Sequence, residues 1–426
     1  MSTRFRIVLA VVCLAAAAFA SWRTSLVDGT TRATGTAIRI AGEVTHVAYY
    51  SSVGLRYARH DSAGWTTETL DGWNGPHNRG PSIALDSTGS PVIAYYRGTP
   101  WLAFWTGSDW QHEQIDPDSS GDYIWAAFAP DGRLAVAYNK GGGLSGSRLK
   151  YAWRDSTGWH PALIDAANSG FDCVLTFEPS GRPVIADCQS WSSGALYWRV
   201  LTDTGWTRAT LLAAGASQSC LAMGPGGVPH ISYYATGGGD YDLRLVWRDG
   251  DEWRYGIVDP GRQQTKRGWD NSIVVDRLGA AHISYHAHNE RELRYAWGRP
   301  GNWTVEVVDR VGMWNLASSL VLDDRDRAWI AYCDEDENDA LYVAVRDEPT
   351  GVAAPQFRAK FTPATLVRGV LRLPASLITP RSSLITADGR KAMELQPGDN
   401  DASRLVPGVY FVRGRQTTAS RVVVTR

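Results

Sequence analysis

Short apolar runs recur along most of the chain, each bounded by Gly, Pro, Asn or Asp. Residues 271–309 show the pattern most plainly: SIVVD, a tight turn at 277–279, AHISYH, a polar loop, LRYAW, the turn GRPGN, and WTVEVVD. Runs this short, rich in β-branched and aromatic residues, predict strands. The first two strands and the turn between them recur as TAIRIAGEVTHVAYY at 36–50 and SIALDSTGSPVIAYY at 82–96. They return at 126–139, 173–188, 220–234, 272–286 and 319–333. A fourth-strand signature follows a Gly-containing turn at Trp65, Trp110, Trp159, Trp206, Trp253 and Trp303. Six residues after the Trp stands Asp71, Asp116, Asp165, Asp259 or Asp309, with Leu212 taking that place after Trp206.

There are thus seven first-strand motifs but six fourth strands. The missing one stands at the other end, where WRTSLVD at 22–28 matches WRYGIVD at 253–259. A period in the mid-forties to fifty suits a propeller blade. The expectation is therefore an all-β, seven-bladed β-propeller over 21–347, its last blade completed by the N-terminal strand so that no edge stays open.

The ends read differently. Arg4 and Arg6 precede an apolar run from Ile7 to Phe19 that closes on Ala18-Phe19-Ala20. This is the pattern of a secretory signal peptide cleaved after Ala20. No later segment approaches the ~20 apolar residues of a membrane span. Residues 348–363, EPTGVAAPQFRAKFTP, are aperiodic and read as a linker. Residues 364–426 return to strand-turn-strand patterning and predict a small β-sandwich. A net charge of −1 without a basic tract argues against a nucleic-acid partner. The expected setting is secreted or outer cell surface, as a monomer. Export permits disulfides. Cys173 and Cys188 flank one hairpin turn symmetrically, leaving a bridge between them open, while Cys220 and Cys333 read as buried thiols.

Two resemblances follow from these residues. The repeats resemble those of secreted bacterial β-propellers of the sialidase-like, BNR-repeat type, with degenerate Asp-box turns RDGDEW at 248–253 and RDSTGW at 154–159. The C-terminal region resembles the type A sorting domain of type IX secretion substrates, through DGRK at 388–391, LVPGVYFVR at 405–413 and VVVTR at 422–426. The second resemblance implies an address read by the outer-membrane secretion machinery.

With the first strand innermost, the loops joining blades and those joining second to third strands share one face. That face carries the candidate ligand-binding aromatics Trp73, Trp101, Tyr123, Trp191, Trp269 and Trp314, with Phe171 beside them. Aromatic faces stack on sugar rings, so extracellular glycan or cell-surface material is the expected partner. Non-catalytic binding is the first reading. A sialidase-like glycan-cleaving enzyme, using facing carboxylates such as Asp122, Asp240 and Glu290, is the alternative, and a structural surface protein a third. The fourth-strand Trp residues read as inter-blade core. The strand-end Asp residues read as turn acceptors of backbone N–H groups. Arg56, Lys150, Arg244 and Arg294 read as solvated, and His46, His230 and His282 as one repeated strand position. The acidic loop 334–339 reads as solvated rather than as a calcium loop. No catalytic residue, metal or cofactor is assigned.

Overall fold

The computed structural model describes residues 21–426 apart from 74–79, 142–145, 191, 238, 240, 314–316, 335–338, 348–364, 368–369, 374–382, 387–390, 397, 404, 406–407, 414–420 and 425–426. Two compact units emerge, one over Ser21–Glu348 and one within Pro349–Arg426. Among the described residues there is no α-helix. The signal stretch, the linker and much of the sorting motifs lie outside the described residues.

In the larger unit, β1 (Trp22–Asp28) stands apart in sequence from its sheet. Next come β2 (Ala33–Ala41), β3 (Val44–Ser51), β4 (Gly54–Asp61) and β5 (Gly64–Asp71), paired in that order. A second meander holds β6 (Ser82–Leu85), β7 (Pro91–Tyr96), β8 (Pro100–Trp105) and β9 (Trp110–Gln114). A third holds β10 (Ile124–Phe128), β11 (Leu134–Lys140), β12 (Arg148–Asp155) and β13 (Gly158–Asp165). Then seven strands run in one sheet: β14 (Phe171–Phe177), β15 (Pro183–Cys188), β16 (Gly194–Thr202), β17 (Gly205–Gly224), β18 (Val228–Ala235), β19 (Leu243–Asp249) and β20 (Glu252–Asp259). Here β17, of 20 residues, is the outer strand of one meander and then the first strand of the next. Another four follow as β21 (Arg267–Val275), β22 (Ala281–Ala287), β23 (Glu292–Arg299) and β24 (Asn302–Arg310). The last sheet has β25 (Ser318–Leu322), β26 (Ala328–Asp334), β27 (Ala340–Arg346) and, beyond them, β1.

The burial pattern explains why these runs read as unbroken apolar stretches. Every residue of β7, PVIAYY, is buried, because neighbouring sheets cover both faces. The outer strands alternate weakly and are polar, as in GWTTETLD of β5. In three of the meanders one Asp, Asp86, Asp276 or Asp323, builds the turn between the first two strands. Asp86 Oδ1 accepts the N–H groups of Thr88 at 2.8 Å and Ser90 at 2.9 Å, and Asp276 does the same for Leu278 and Ala280. Gly89 and Gly279, at φ 85° and 82°, supply the left-handed residue these turns need.

Sheet-to-sheet contact uses a repeated device. Trp110 on β9 stands edge-on to Tyr57 of the preceding sheet, at 5.0 Å, and donates Nε1–H to Glu68 there at 3.0 Å. Trp22 on β1 does the same to Tyr295, at 5.2 Å, and to Glu306, at 3.3 Å. So β1 performs, against the β21–β24 sheet, the role that a fourth strand performs elsewhere. The β25–β27 sheet in turn packs on β2 and β3 through Ala331, Cys333, Leu341, Ile38 and Val47. The inter-sheet reading of the fourth-strand Trp residues agrees with these contacts.

The strand-end Asp residues do more than cap turns. Asp28 accepts Thr30 N–H at 2.9 Å, as expected, and also the Tyr49 hydroxyl of the next sheet at 2.7 Å. Tyr95 bonds Asp71 at 2.9 Å, Tyr138 bonds Asp116 at 2.8 Å, Tyr332 bonds Asp309 at 2.5 Å, and Tyr285 bonds Asp259. Burial and then the neighbouring carboxylate push each of these phenols above its ordinary value, so each remains a donor. A hydrogen bond to a charged group is worth about 1.5–3 kcal/mol. The solvated reading of Arg56, Lys150, Arg244 and Arg294 is corrected here. Each sits opposite a Tyr in register, so its side chain turns toward a carboxylate. Arg56 reaches Asp28 at 3.5 Å, Lys150 pairs with Asp116, Arg244 pairs with Asp242 at 2.8 Å, and Arg294 pairs with Asp259 at 3.2 Å.

Two junctions depart from the rule: Leu212 takes the Asp place before Tyr233, and the other departs more sharply. Asp187 holds the Tyr position, and Arg199 bridges it at 2.6 Å to Asp165 at 2.9 Å. Burial raises the pKa of Asp187, and the guanidinium opposes that shift. The neighbouring cysteines are free. Phe171, not Cys173, is the register partner of Cys188, because a bulge between Phe171 and Val174 displaces Cys173 from the pairing.

The smaller unit carries β28 (Thr365–Val367), β29 (Val370–Leu373), β30 (Ser383–Thr386), β31 (Lys391–Glu394), β32 (Gly398–Asp401), β33 (Gly408–Arg413) and β34 (Arg421–Val424). They form a five-stranded sheet, β28-β34-β33-β30-β31, and the pair β29-β32.

Candidate functional site

The N-terminal ends of the first strands converge on one cavity of about 140 Å³. Its wall takes two or three consecutive residues from each of seven places in the chain: 36–37, 80–81, 123–125, 172–174, 218–220, 270–272 and 317–319. The strand registers put these stretches on, or immediately before, the first strands β2, β6, β10, β14, the second half of β17, β21 and β25. A cavity to which every meander contributes the same piece of its first strand lies on the axis about which the sheets are arranged.

Half of this wall is braced by backbone that few residues adopt. Asp172, Gln218 and Asp270 have φ of 49°, 51° and 47°, each inside a bulge of its first strand. They are linked in series. Gln218 N–H donates to Asp172 Oδ2 at 2.8 Å, Asp270 N–H donates to Gln218 Oε1 at 3.0 Å, and Ser318 Oγ donates to the Asp270 carbonyl at 2.9 Å. Deeper along the first strand, Arg39 lies 5.8 Å over the Trp125 ring and makes no ion pair among the described residues. Burial lowers its pKa, and the nearby Cys220 thiol opposes that. Burial likewise raises the Cys173 and Cys220 thiols, so neither is a ready nucleophile.

The candidate aromatics separate into groups. Tyr123 lines the cavity, buried, with its edge on Phe171 at 5.6 Å. Trp269 stands just before Asp270, half-buried, stacked on His288 at 4.2 Å and edge-on to Tyr234 at 5.9 Å. Burial pushes the adjacent His286 down to about 3, helped by His288, so it stays neutral. Trp73 and Trp101 are half-buried and outside the cavity. Trp101 donates to Thr99 at 3.0 Å and lies 5.3 Å from the Arg97 guanidinium. Trp191 and Trp314 lie outside the described residues, as does Asp240. Of the other candidate carboxylates, Glu290 is held by Arg267 and Arg294, each at 3.0 to 3.2 Å, and Asp122 does not line the cavity. The carboxylates that do line it, Asp172 and Asp270, were missed. Their sequence signal is weak: an acidic residue directly after an aromatic one, Phe171 or Trp269. The acidic loop is tied at both described ends, Asp334 to Gly312 N–H at 2.9 Å and Asp339 to Arg32 at 2.5 Å.

No protein-family model matches this chain, and no curated protein matches it. Solved structures do. An ulvan lyase of polysaccharide lyase family 25, solved with -[GlcA(1-4)Rha3S]- bound, superposes with a TM-score of 0.54 at 15% identity, covering 75% of this chain and 95% of its own. A second solved structure of a family 25 ulvan lyase gives 0.53, also at 15% identity with 75% and 95% coverage. The fold is a β-propeller. A Hadza microbial sialidase matches more weakly, with a TM-score of 0.45 at 12% identity, covering 72% of this chain and 74% of its own.

Proposed function

We propose that residues 21–347 form a seven-bladed β-propeller, closed by β1, that binds extracellular glycan at the axial face without cleaving it. The observation that carries this reading is the axial cavity, whose wall offers amide, hydroxyl and carboxylate groups beside Tyr123 and Trp125. Sugars are recognised by that mixture of directional polar groups and aromatic faces. The ulvan lyase of like fold binds a polysaccharide, which supports the choice of ligand class. Trp73, Trp101 and Trp269 then belong to a wider rim around the cavity. Cleavage is the second reading, and it would use Asp172 and Asp270 as its two carboxylates. Binding is favoured because both carboxylates belong to the braced wall, Asp172 through the Gln218 N–H at its Oδ2 and Asp270 through its own N–H and carbonyl.

Ala317 lies on the cavity wall and is only partly buried. Ala317→Trp should fill the opening with little loss of stability. Retention of the chain on a gel containing ulvan or other acidic polysaccharides should fall by about tenfold or more, the equivalent of ~1.4 kcal/mol. Retention equal to that of the unchanged protein would put the ligand elsewhere.

The same reading makes the chain secreted or displayed at the outer surface. Residues 1–20 serve as its signal, and residues 364–426 as a sorting β-sandwich recognised by type IX machinery. A chain lacking 366–426 should stay in the periplasm of a host that has this machinery; its arrival at the surface would remove the sorting role.

A further inference from the structure

Two larger cavities lie at the opposite end of the sheets, where the first strand turns into the second. One, of about 530 Å³, opens between the β2–β5 and β6–β9 sheets, and the other, of about 510 Å³, between the β6–β9 and β10–β13 sheets. Both are in the range of small-ligand sites. The registers show that they are the same cleft, one sheet apart. His46 pairs with Arg59 as Val92 pairs with Phe104, and Tyr57 pairs with Glu68 as Leu102 pairs with Glu113. On the far wall Trp105, opposite Pro91, corresponds to Arg154, which follows the Ala135–Trp153 pair by one step.

At three matched positions each cleft therefore places a carboxylate, a guanidinium and an aromatic ring, with the last two on exchanged walls; the first cleft adds the rings of His46, Tyr57 and Trp110, and the second adds Asp86, Asp131, Arg133 and Phe128. In the first, Arg59 stands on the near wall with Glu68, and Trp105 faces them. In the second, Phe104 stands on the near wall with Glu113, and Arg154 faces them. Glu68 gives one oxygen to Trp110 Nε1–H at 3.0 Å, which leaves acceptor capacity on the carboxylate. Glu113 is held by Arg154 at 2.6 and 3.0 Å and by Trp159 Nε1–H at 2.8 Å. Arg59 pairs with Asp61 through Nη1. A carboxylate accepts from adjacent sugar hydroxyls, a guanidinium donates to them, and a ring takes the C–H face of the pyranose.

We infer that these two clefts are a pair of equivalent subsites for a neutral sugar residue bearing vicinal hydroxyls, separate from the axial cavity. The glycan-binding reading above enters only in the choice of probe. Two linked subsites on one rigid body would raise the affinity for a repeating polymer well above that for its monomer.

The test uses the full chain with the methyl α-glycosides of galactose, mannose, glucose and rhamnose, one at a time at millimolar concentration. Trp105 and Trp110 line only the first cleft, so its occupancy reads out as tryptophan fluorescence, while saturation-transfer NMR reads both. At least one glycoside should bind saturably. Glu68→Gln should weaken the fluorescence titration by about tenfold. Thr88→Phe, at an exposed residue of the cleft, should abolish it. Glu113→Gln and Ser87→Phe should leave the fluorescence titration intact and lower the remaining NMR signal. Ala317→Trp should change neither readout. The inference is overturned if no glycoside binds, or if binding survives Glu68→Gln and Thr88→Phe but is lost in Ala317→Trp. Loss of polysaccharide binding in Ala317→Trp with monosaccharide titrations intact would leave both readings standing.

Discussion

Deleting residues 21–28 should leave the chain insoluble or lower its melting temperature sharply, because it strips β27 of its partner along the whole of β1. The loss is more than one ladder. Trp22 leaves Tyr295 and Glu306, Asp28 leaves Tyr49 and the turn at Thr30, and Arg56 loses its nearest carboxylate. Trp22→Ala alone should cost about 3–5 kcal/mol if the ring contact is fully lost. That is a large share of the ~5–15 kcal/mol by which domains are stable. A synthetic peptide covering 21–32, added to the truncated chain, should restore stability in a concentration-dependent way, since it binds only the folded form. A truncated chain that melts like the intact one would mean that β1 is dispensable and the proposed closure by β1 is wrong.

Arg199→Met should be the most destabilising single substitution outside the closure. The Arg199 side chain is only 2% exposed and answers two carboxylates, one of which, Asp187, has no exposed surface. Removing it leaves buried charge without a counter-ion, a change worth about 3–5 kcal/mol. The sign with pH follows. Burial already raises the Asp187 pKa, and loss of the guanidinium would raise it further above its unfolded value. The folded form then binds the proton more tightly, so Arg199→Met should regain stability as pH falls from neutral through that raised pKa. Arg199→Met combined with Asp187→Asn should be markedly more stable than Arg199→Met alone when melted at neutral pH. An additive result in that double variant would show that unpaired charge is not the cause.

The strands and their repetition were legible because sheets covered on both faces need continuous apolar runs, and PVIAYY or AHISYH can serve little else. The missing fourth strand was legible from the WRTSLVD match, since Trp and Asp at that spacing hold the sheet-to-sheet contacts. The partner of each strand-end Asp was harder to see. Its Tyr lies 21 to 26 residues downstream, at the end of the next second strand, a regularity visible only once the Asp is known to look across the junction. The same blindness made Arg56 and Lys150 read as solvated. The axial carboxylates were not legible at all. Their placement depends on left-handed bulges at Asp172 and Asp270, which leave no periodic trace. The clefts were hidden for another reason. Trp110 was read correctly as packing between sheets, and that reading gave no hint that Trp105 beside it faces open space.

The central claim is that the axial face binds glycan and does not cut it. The most direct measurement incubates the full chain with ulvan and follows, in one sample, co-migration of protein with polymer and the appearance of new chain ends, as reducing sugar and as the ultraviolet absorbance of an unsaturated uronate. The account predicts co-migration that Ala317→Trp abolishes and no new ends over the unreacted control. New ends that disappear in Asp172→Asn or Asp270→Asn would contradict it and make the propeller an enzyme.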